Sequence, residues 1–334
     1  MSKKAPWKDQ AEGRFFTRLE VAQTLSGPLA LPLHVVTGRK DGPTLGITAT
    51  IHGDETVPPI MLRRLFEELD LSQLAGRLCA IPVCNPLAMS AFGRQTPEQH
   101  GKTDLHEVFP GSAKGNLTQM MAAVIASSLI DHVDVLIDYH CGGAGGRLQE
   151  RIDFHRGAAD DIKARSLELG RKFGTVFAHE NNLAGTAVGY ANSLGKPAFN
   201  AETAGVYLHP GDADGYIEAG VRGFQNVMKA LGMLPGPVEA LPRQLRFTPQ
   251  NRIEVNPVHG GYLESFFQRP DELGTRIAQG TTLGRMIDMY TLEVVEELVA
   301  PVDGYLFFSR YSGVVDAGTK AFALAEEAGS QWLD

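Results

Sequence analysis

Two periods of apolar residues alternate along the first two thirds of the chain. Residues 44–51 (TLGITATI) form a short apolar run rich in β-branched side chains, and 57–69 then switch to helical spacing, which predicts strand, loop and helix in succession. Pro58 and Pro59 suit that helix only at or near its first turn, where a missing N–H costs little. The same reading predicts strands at 78–83, 133–139 and 197–201 and helices at 117–130, 158–173 and 215–231. Strands alternating with helices imply the α/β class, with a mixed, largely parallel sheet flanked by helices.

After Leu231 the pattern breaks. The stretch GMLPGPVEALPRQLRFTPQ is rich in proline and holds neither period, so it reads as a linker. Beyond it come short β-like pieces separated by glycines, and a division into residues 1–240 and a small C-terminal all-β domain, 241–334, follows. The pieces GGYLESFFQ, GTTLGRMI and APVDGYLFF look like a lipoyl-like barrel-sandwich. A lipoyl or biotinyl carrier needs a lysine at a hairpin tip, yet no lysine occurs between Lys229 and Lys320, which argues against a carrier.

Composition narrows the function classes. With 334 residues and 43% hydrophobic content, the chain can bury a large core. Its net charge of −8 and lack of a long basic run speak against nucleic acid and for a small-molecule partner. No window approaches the roughly 18 to 20 apolar residues that cross a bilayer, and the N-terminus lacks the apolar stretch of a signal peptide, so a cytoplasmic protein without membrane partners is expected. Cys79, Cys84 and Cys141 are odd in number and lack CxxC spacing, which leaves His and carboxylates as the metal ligands available.

Those residue types cluster in three segments: His52-Gly-Asp-Glu55, Tyr139-His140 and Asn200-Ala-Glu202. His52 and His140 follow the ends of predicted strands, and Glu55 stands at the entrance to a helix. Open α/β sheets bind ligands outside the carboxyl ends of their strands, so the three side chains can converge. Two imidazoles and one carboxylate leave a fourth position open, which is the donor set of catalytic zinc. Each residue alone also has a plainer reading: Glu55 as an acid favoured at a helix N-terminus, His140 as a hydrogen-bonded core histidine. Cys141 is expected to alternate away from His140 along the strand.

Further motifs follow in order: Asn85-Pro86 and then Arg94, Asp104-Leu105 before Phe109-Pro110-Gly111, Asp138-Tyr-His140 and Ala201-Glu202. In this combination the chain resembles, over nearly its whole length, the succinylglutamate desuccinylase and aspartoacylase family of zinc carboxypeptidase-like deacylases. The resemblance implies hydrolysis of a linear amide between an acyl group and an amine, with one zinc ion per chain on His52, Glu55 and His140. It also implies a C-terminal β domain packed beside the cleft, with a part in substrate selection or homo-oligomer contact. Glu202 is then the general base and acid, because an amine leaves poorly unless protonated. Arg94 is the candidate for polarising the scissile carbonyl, with a solvated surface arginine as the alternative. Asn85, His106 and Glu107 are expected to contact the substrate.

One departure bears on the substrate. The family pattern reads Asp-Leu-Asn-Arg where this chain has Asp104-Leu105-His106-Glu107. In relatives the Asn and Arg bind a carboxylate, and their loss points either to an amine paired with Glu107 or to another anchor such as Arg147 or Arg151. An N-acyl amino acid or N-acyl amine is therefore the expected substrate. A carboxypeptidase-like peptidase and a metal-binding scaffold without catalysis are the alternatives.

Overall fold

A computed structural model describes residues 5, 7–142, 145–205 and 213–334. Strands β1 (Gly13–Thr24) and β2 (Gly27–Thr37) form a hairpin that leads into β3 (Lys40–Ala49), helix α1 (Val57–Glu68), β4 (Ala75–Ile81) and the short α2 (Pro86–Ser90). Next come α3 (Leu117–Ser128), β5 (Val135–Gly142), β6 (Gly146–Leu148), β7 (Arg151–His155), α4 (Asp160–Phe173), β8 (Phe177–Asn181), α5 (Ala187–Ser193), β9 (Ala198–Gly205) and α6 (Ala213–Ala230). All the strands and helices expected from periodicity are present within a few residues of their expected bounds. Pro58 and Pro59 lie in the first turn of α1 as anticipated.

The main sheet has ten strands in the order β1-β2-β4-β3-β5-β9-β7-β8-β10-β19, where β10 is Gln244–Phe247 and β19 is Gln331–Leu333. Its centre is parallel from β4 through β3 and β5 to β9, and β7, β8 and β10 are parallel again. Antiparallel pairings join β1 to β2, β2 to β4, β7 to β9 and β10 to β19, so the sheet is mixed. Helices cover both faces. One core gathers Met61, Leu65, Phe173, Phe224 and Tyr139 beneath α1, α4 and α6. The other sits under α3 and α5 and reaches the buried Trp7, whose Nε1 donates to the Ser128 carbonyl at 3.0 Å.

The remaining C-terminal strands are β11 (Arg252–Val255), β12 (Gly261–Ser265), β13 (Arg276–Ile277), β14 (Thr282–Ile287), β15 (Val294–Val299), β16 (Gly304–Arg310), β17 (Gly313–Val315) and β18 (Phe322–Glu326). They make two antiparallel sheets, ordered β11-β18-β16-β13 and β15-β14-β12-β17. Leu263, Leu283 and Met286 from one sheet meet Leu306, Phe322 and Leu324 from the other in a shared apolar cluster. The two halves of the chain are stitched together: β10 and β19 extend the main sheet, while β6 pairs with β16. That stitching brings the C-terminal sheet to the edge of the cleft.

Candidate active site

Strand ends assemble the site. Beyond β3, the loop carrying His52 and Glu55 begins at Thr50, whose φ of 50° is left-handed, a conformation costing a β-branched residue roughly 1–3 kcal/mol. Local bonds hold it there: Thr50 Oγ1 donates to the Glu55 carbonyl at 3.1 Å, and the Asn85 amide donates to the Thr50 carbonyl at 3.1 Å. A Cβ on Gly53 would stand 2.0 Å from the Ala88 carbonyl carbon, so glycine lets this loop rest on the backbone of α2. The space that Gly53 frees is thus taken by α2.

His52, Glu55 and His140 converge as expected, and all three are buried. Glu55 lies between the imidazoles, its Oε1 2.7 Å from His52 Nδ1 and its Oε2 2.9 Å from His140 Nδ1. Behind each ring stands another carboxylate: Asp104 Oδ1 is 3.3 Å from His52 Nε2, and Asp138 Oδ2 is 3.1 Å from His140 Nε2. Asp138 is in turn fixed by Thr48 Oγ1, which donates at 2.7 Å. Carboxylates behind ligand histidines orient the rings and raise their basicity.

The electrostatics follow from this crowding. Burial works against ionising Glu55, but the two imidazoles outweigh it and hold the carboxyl well below its usual range. Likewise burial opposes protonation of His140, while Asp138 and Glu55 push it above its ordinary value. His106 goes the other way: burial, with His140 and His52 close by, pulls it down to about 4.

A divalent cation fits these residues. Donor atoms of His52, Glu55 and His140 all lie within 4.8 Å of one another, so one ion can touch all three. The buried His52 Nε2, His140 Nε2, Asp138 Oδ2 and His106 Nδ1 make no aligned hydrogen bond, a polar set short of partners. His106, Asp138 and His140 form a second possible donor group, but His106 is only half-buried.

Sheet register brings in the rest. Across neighbouring strands, Glu202 on β9 stands beside His140 on β5 and opposite Arg151 on β7. Two residues away on the same strands, before His140 and Glu202 but after Arg151 on the antiparallel β7, Asp138, Asn200 and Asp153 form a second row. Arg151 Nη2 lies 3.2 Å from Glu202 Oε1, and its Nε donates to Asp153 Oδ1 at 2.7 Å. Burial raises the Glu202 carboxyl above its ordinary value, with Arg151 and His140 acting against that.

These groups open onto a cavity of about 620 Å³. Arg94, His106 and Glu107 are among the residues that line it. Arg94 Nε lies 3.2 Å from Asp104 Oδ2 with half of its side chain in solvent, and Asp104 in turn faces His52. Asn85 requires correction. It is fully buried, its Oδ1 accepts from the Ala88 amide and its Nδ2 donates to Thr96 Oγ1, so it caps α2 and has no place among the cavity residues. Cys141 turns into the core beneath α1 and α6, as the alternation along β5 required.

Reasoning from sequence missed Arg151 as the partner of Glu202, and it missed Arg252, Phe307, Phe308 and Lys320, which line the cavity from the C-terminal sheet. The first had a signal in the spacing Arg151-x-Asp153. The others come from across a sheet boundary that no local pattern records.

The mixed α/β sheet thus carries a buried His-Glu-His donor set at the ends of its central strands. Residues 41–231 match the profile of the succinylglutamate desuccinylase/aspartoacylase catalytic domain, and the chain belongs to that family. An N-alpha-acetyl-L-2,4-diaminobutyric acid deacetylase of Halomonas elongata is 28% identical over 325 residues, covering 93% of this chain and 90% of the relative. Among solved structures, the product-bound ectoine utilization protein EutE (DoeB) of Ruegeria pomeroyi superposes with a TM-score of 0.82 at 22% identity, over 95% of this chain and 96% of the other. An aspartoacylase family protein of Mesorhizobium loti gives 0.79 at 25% identity, over 95% of each. No helix among the described residues is long and apolar enough to cross a membrane.

Proposed function

We propose that the chain is a zinc-dependent deacylase that cleaves the amide of a small N-acyl amino acid bearing a second amine, with an N-acetylated diamino acid as the substrate class. The observation that carries this reading is the sheet register that sets Glu202 beside a buried His52-Glu55-His140 donor set at the floor of an open cavity. The ion held there would supply Lewis acidity, polarising the acyl carbonyl and acidifying water. Glu202 takes the proton from the attacking water and hands it to the departing nitrogen, and burial that lifts its pKa suits it to both transfers. Arg94, anchored by Asp104, offers its guanidinium to the oxygen that gains charge as the carbonyl becomes tetrahedral.

The substrate class rests on Glu107. Its side chain is exposed on the cavity wall, makes no ion pair among the described residues, and stands where family members carry arginine. A cationic amine on the substrate pairs with it at ionic distance. The Halomonas relative, whose substrate carries such an amine, supports the same assignment.

The test is a turnover panel with zinc-loaded protein: Nα-acetyl-L-2,4-diaminobutyrate, N-acetyl-aspartate and N-succinyl-glutamate. The first is expected to be hydrolysed best, and a chelator to abolish the activity. Glu107→Gln is expected to raise KM roughly tenfold for the diamino substrate alone, the loss of one charge-assisted contact. A strong preference for the acidic substrates would sink the Glu107 assignment, and no turnover of any amide would sink the deacylase reading.

A further inference from the structure

Arg252, Phe307, Phe308 and Lys320 bring the C-terminal sheet into the cavity wall, and the charge of that part is not explained by the His-Glu-His donors. Lys320, the only lysine after Lys229, sits in the turn between β17 and β18. Its backbone is fixed, because Arg310 Nε donates to the Lys320 carbonyl at 2.7 Å and the Arg310 amide donates to the Ala321 carbonyl at 2.8 Å. The side chain runs into the cavity with Nζ 4.5 Å from the centroid of the Phe308 ring. Arg252 lines the same wall.

Other cationic groups around the cavity are committed. Arg151 holds Asp153 and Glu202, Arg94 holds Asp104, and Arg252 holds Glu254 at 2.7 Å. Among the described residues no carboxylate stands within ion-pair distance of Lys320; an aromatic face is its neighbour instead. Burial and the guanidinium of Arg252 bring the ammonium down to about 8. The carboxylates of Glu254 and Glu202 act against that lowering from beyond ion-pair distance, and an anion docked at Lys320 would offset the cost of holding its charge in a partly desolvated wall. Elsewhere on the cavity His106 and Glu107 offer no cation, and the guanidinium groups of Arg94 and Arg151 are already held by Asp104, Asp153 and Glu202.

We propose that Lys320, backed by Arg252, is the specificity-determining residue that binds the carboxylate of the substrate's amino-acid part. The substrate then lies across the cleft with its amine toward Glu107 and its carboxylate toward the C-terminal sheet. This rests on the deacylase reading above. It also gives the C-terminal strands a direct part in recognition.

The experiment pairs two compounds that differ only in the carboxylate, Nα-acetyl-L-2,4-diaminobutyrate and N-acetyl-1,3-diaminopropane, and compares wild type, Lys320→Met and Lys320→Arg in the zinc-loaded protein. Lys320→Met is expected to raise KM roughly 10- to 100-fold for the first compound and less than about twofold for the second, with kcat little changed; Lys320→Arg should restore most of the loss. Calorimetric binding of L-2,4-diaminobutyrate against 1,3-diaminopropane supplies a readout without turnover, and the same contrast is expected there. Equal losses on both compounds, or no loss on either, overturn the assignment, as does wild type that binds the two diamines equally. Binding that discriminates through Lys320 without turnover of any amide would overturn the deacylase reading and leave the anchor standing.

Discussion

The two walls of the cavity are built on opposite principles. On the side of the His-Glu-His donor set the charged groups are packed against one another: Glu55 bridges two imidazoles, each imidazole has a carboxylate behind it, and Arg151 ties Glu202 to Asp153. Such a network has little freedom, which suits groups that must hold one geometry through a reaction. The C-terminal wall is aromatic and cationic, with Phe307 and Phe308 beneath Arg252 and Lys320. Its lysine has no acid to hold, so its charge stays available to whatever enters. Under the proposed function the difference separates a part that does chemistry from a part that chooses the molecule, and substitutions on the two walls should fail in different kinetic constants.

The largest effect is expected at Glu202. Glu202→Gln keeps the shape and the contact with Arg151 but removes the proton carrier, so kcat should fall by about 10²- to 10⁴-fold. Metal analysis of the purified variant should still give one zinc per chain, because Glu202 stands beside the donor set and not within it. Loss of zinc together with activity would place Glu202 among the ligands, and full activity would remove it from the mechanism. Set beside Lys320→Met, which should act on KM, this pair tests the division between the walls.

Asp138→Asn tests whether the packed order of the metal side matters in itself. The carboxylate accepts from Thr48 and faces His140 Nε2; an amide in its place can present an NH₂ to that nitrogen, favouring the wrong imidazole tautomer. Zinc affinity measured by competition with a chromophoric chelator should drop roughly 10- to 100-fold. At saturating zinc most of the turnover should return. Unchanged affinity would mean that Glu55 alone orients His140.

How far this division was legible in the sequence follows from the range of the interactions that make it. The meeting of His52, Glu55 and His140 was readable because His52 and His140 follow apolar runs that announce buried strands, Glu55 stands at the entrance to the next helix, and strand ends share one rim of the sheet. Glu202 was readable for the same reason, once the run ending in Ala201 was taken as a strand. The hairpin β1–β2 escaped: β1 alternates half-buried and exposed positions, and β2 carries Pro28 and Pro32, features that mask an edge strand. Asn85 was misjudged because a helix-capping Asn before Pro and a ligand-binding Asn look alike in one dimension. Lys320 was noticed only as too isolated to make a carrier. That it reaches the cleft depends on β6 pairing with β16 and on β10 joining the main sheet, long-range pairings with no periodic signature.

Arg151 is where the two walls meet, since its guanidinium pairs with Glu202 on one side and lies 5.8 Å from the Phe307 ring on the other. Its positive charge lowers the Glu202 carboxyl against the upward push of burial. Removing that charge should let burial dominate and raise the Glu202 pKa. A general base works only when ionised, so the acid limb of kcat/KM should move to higher pH, by about one unit or more for an opposite charge at this distance. Arg151→Met also leaves Asp153 buried without its main partner, which costs about 3–5 kcal/mol and can compromise folding. Arg151→Lys keeps the charge while losing the fork, and is expected to fold with an acid limb close to wild type. A pH profile shifted in Met and retained in Lys assigns the effect to charge beside Glu202. Equal profiles in all three proteins would mean that the pKa of the base is set by the metal side alone, and that the C-terminal wall has no hand in the chemistry.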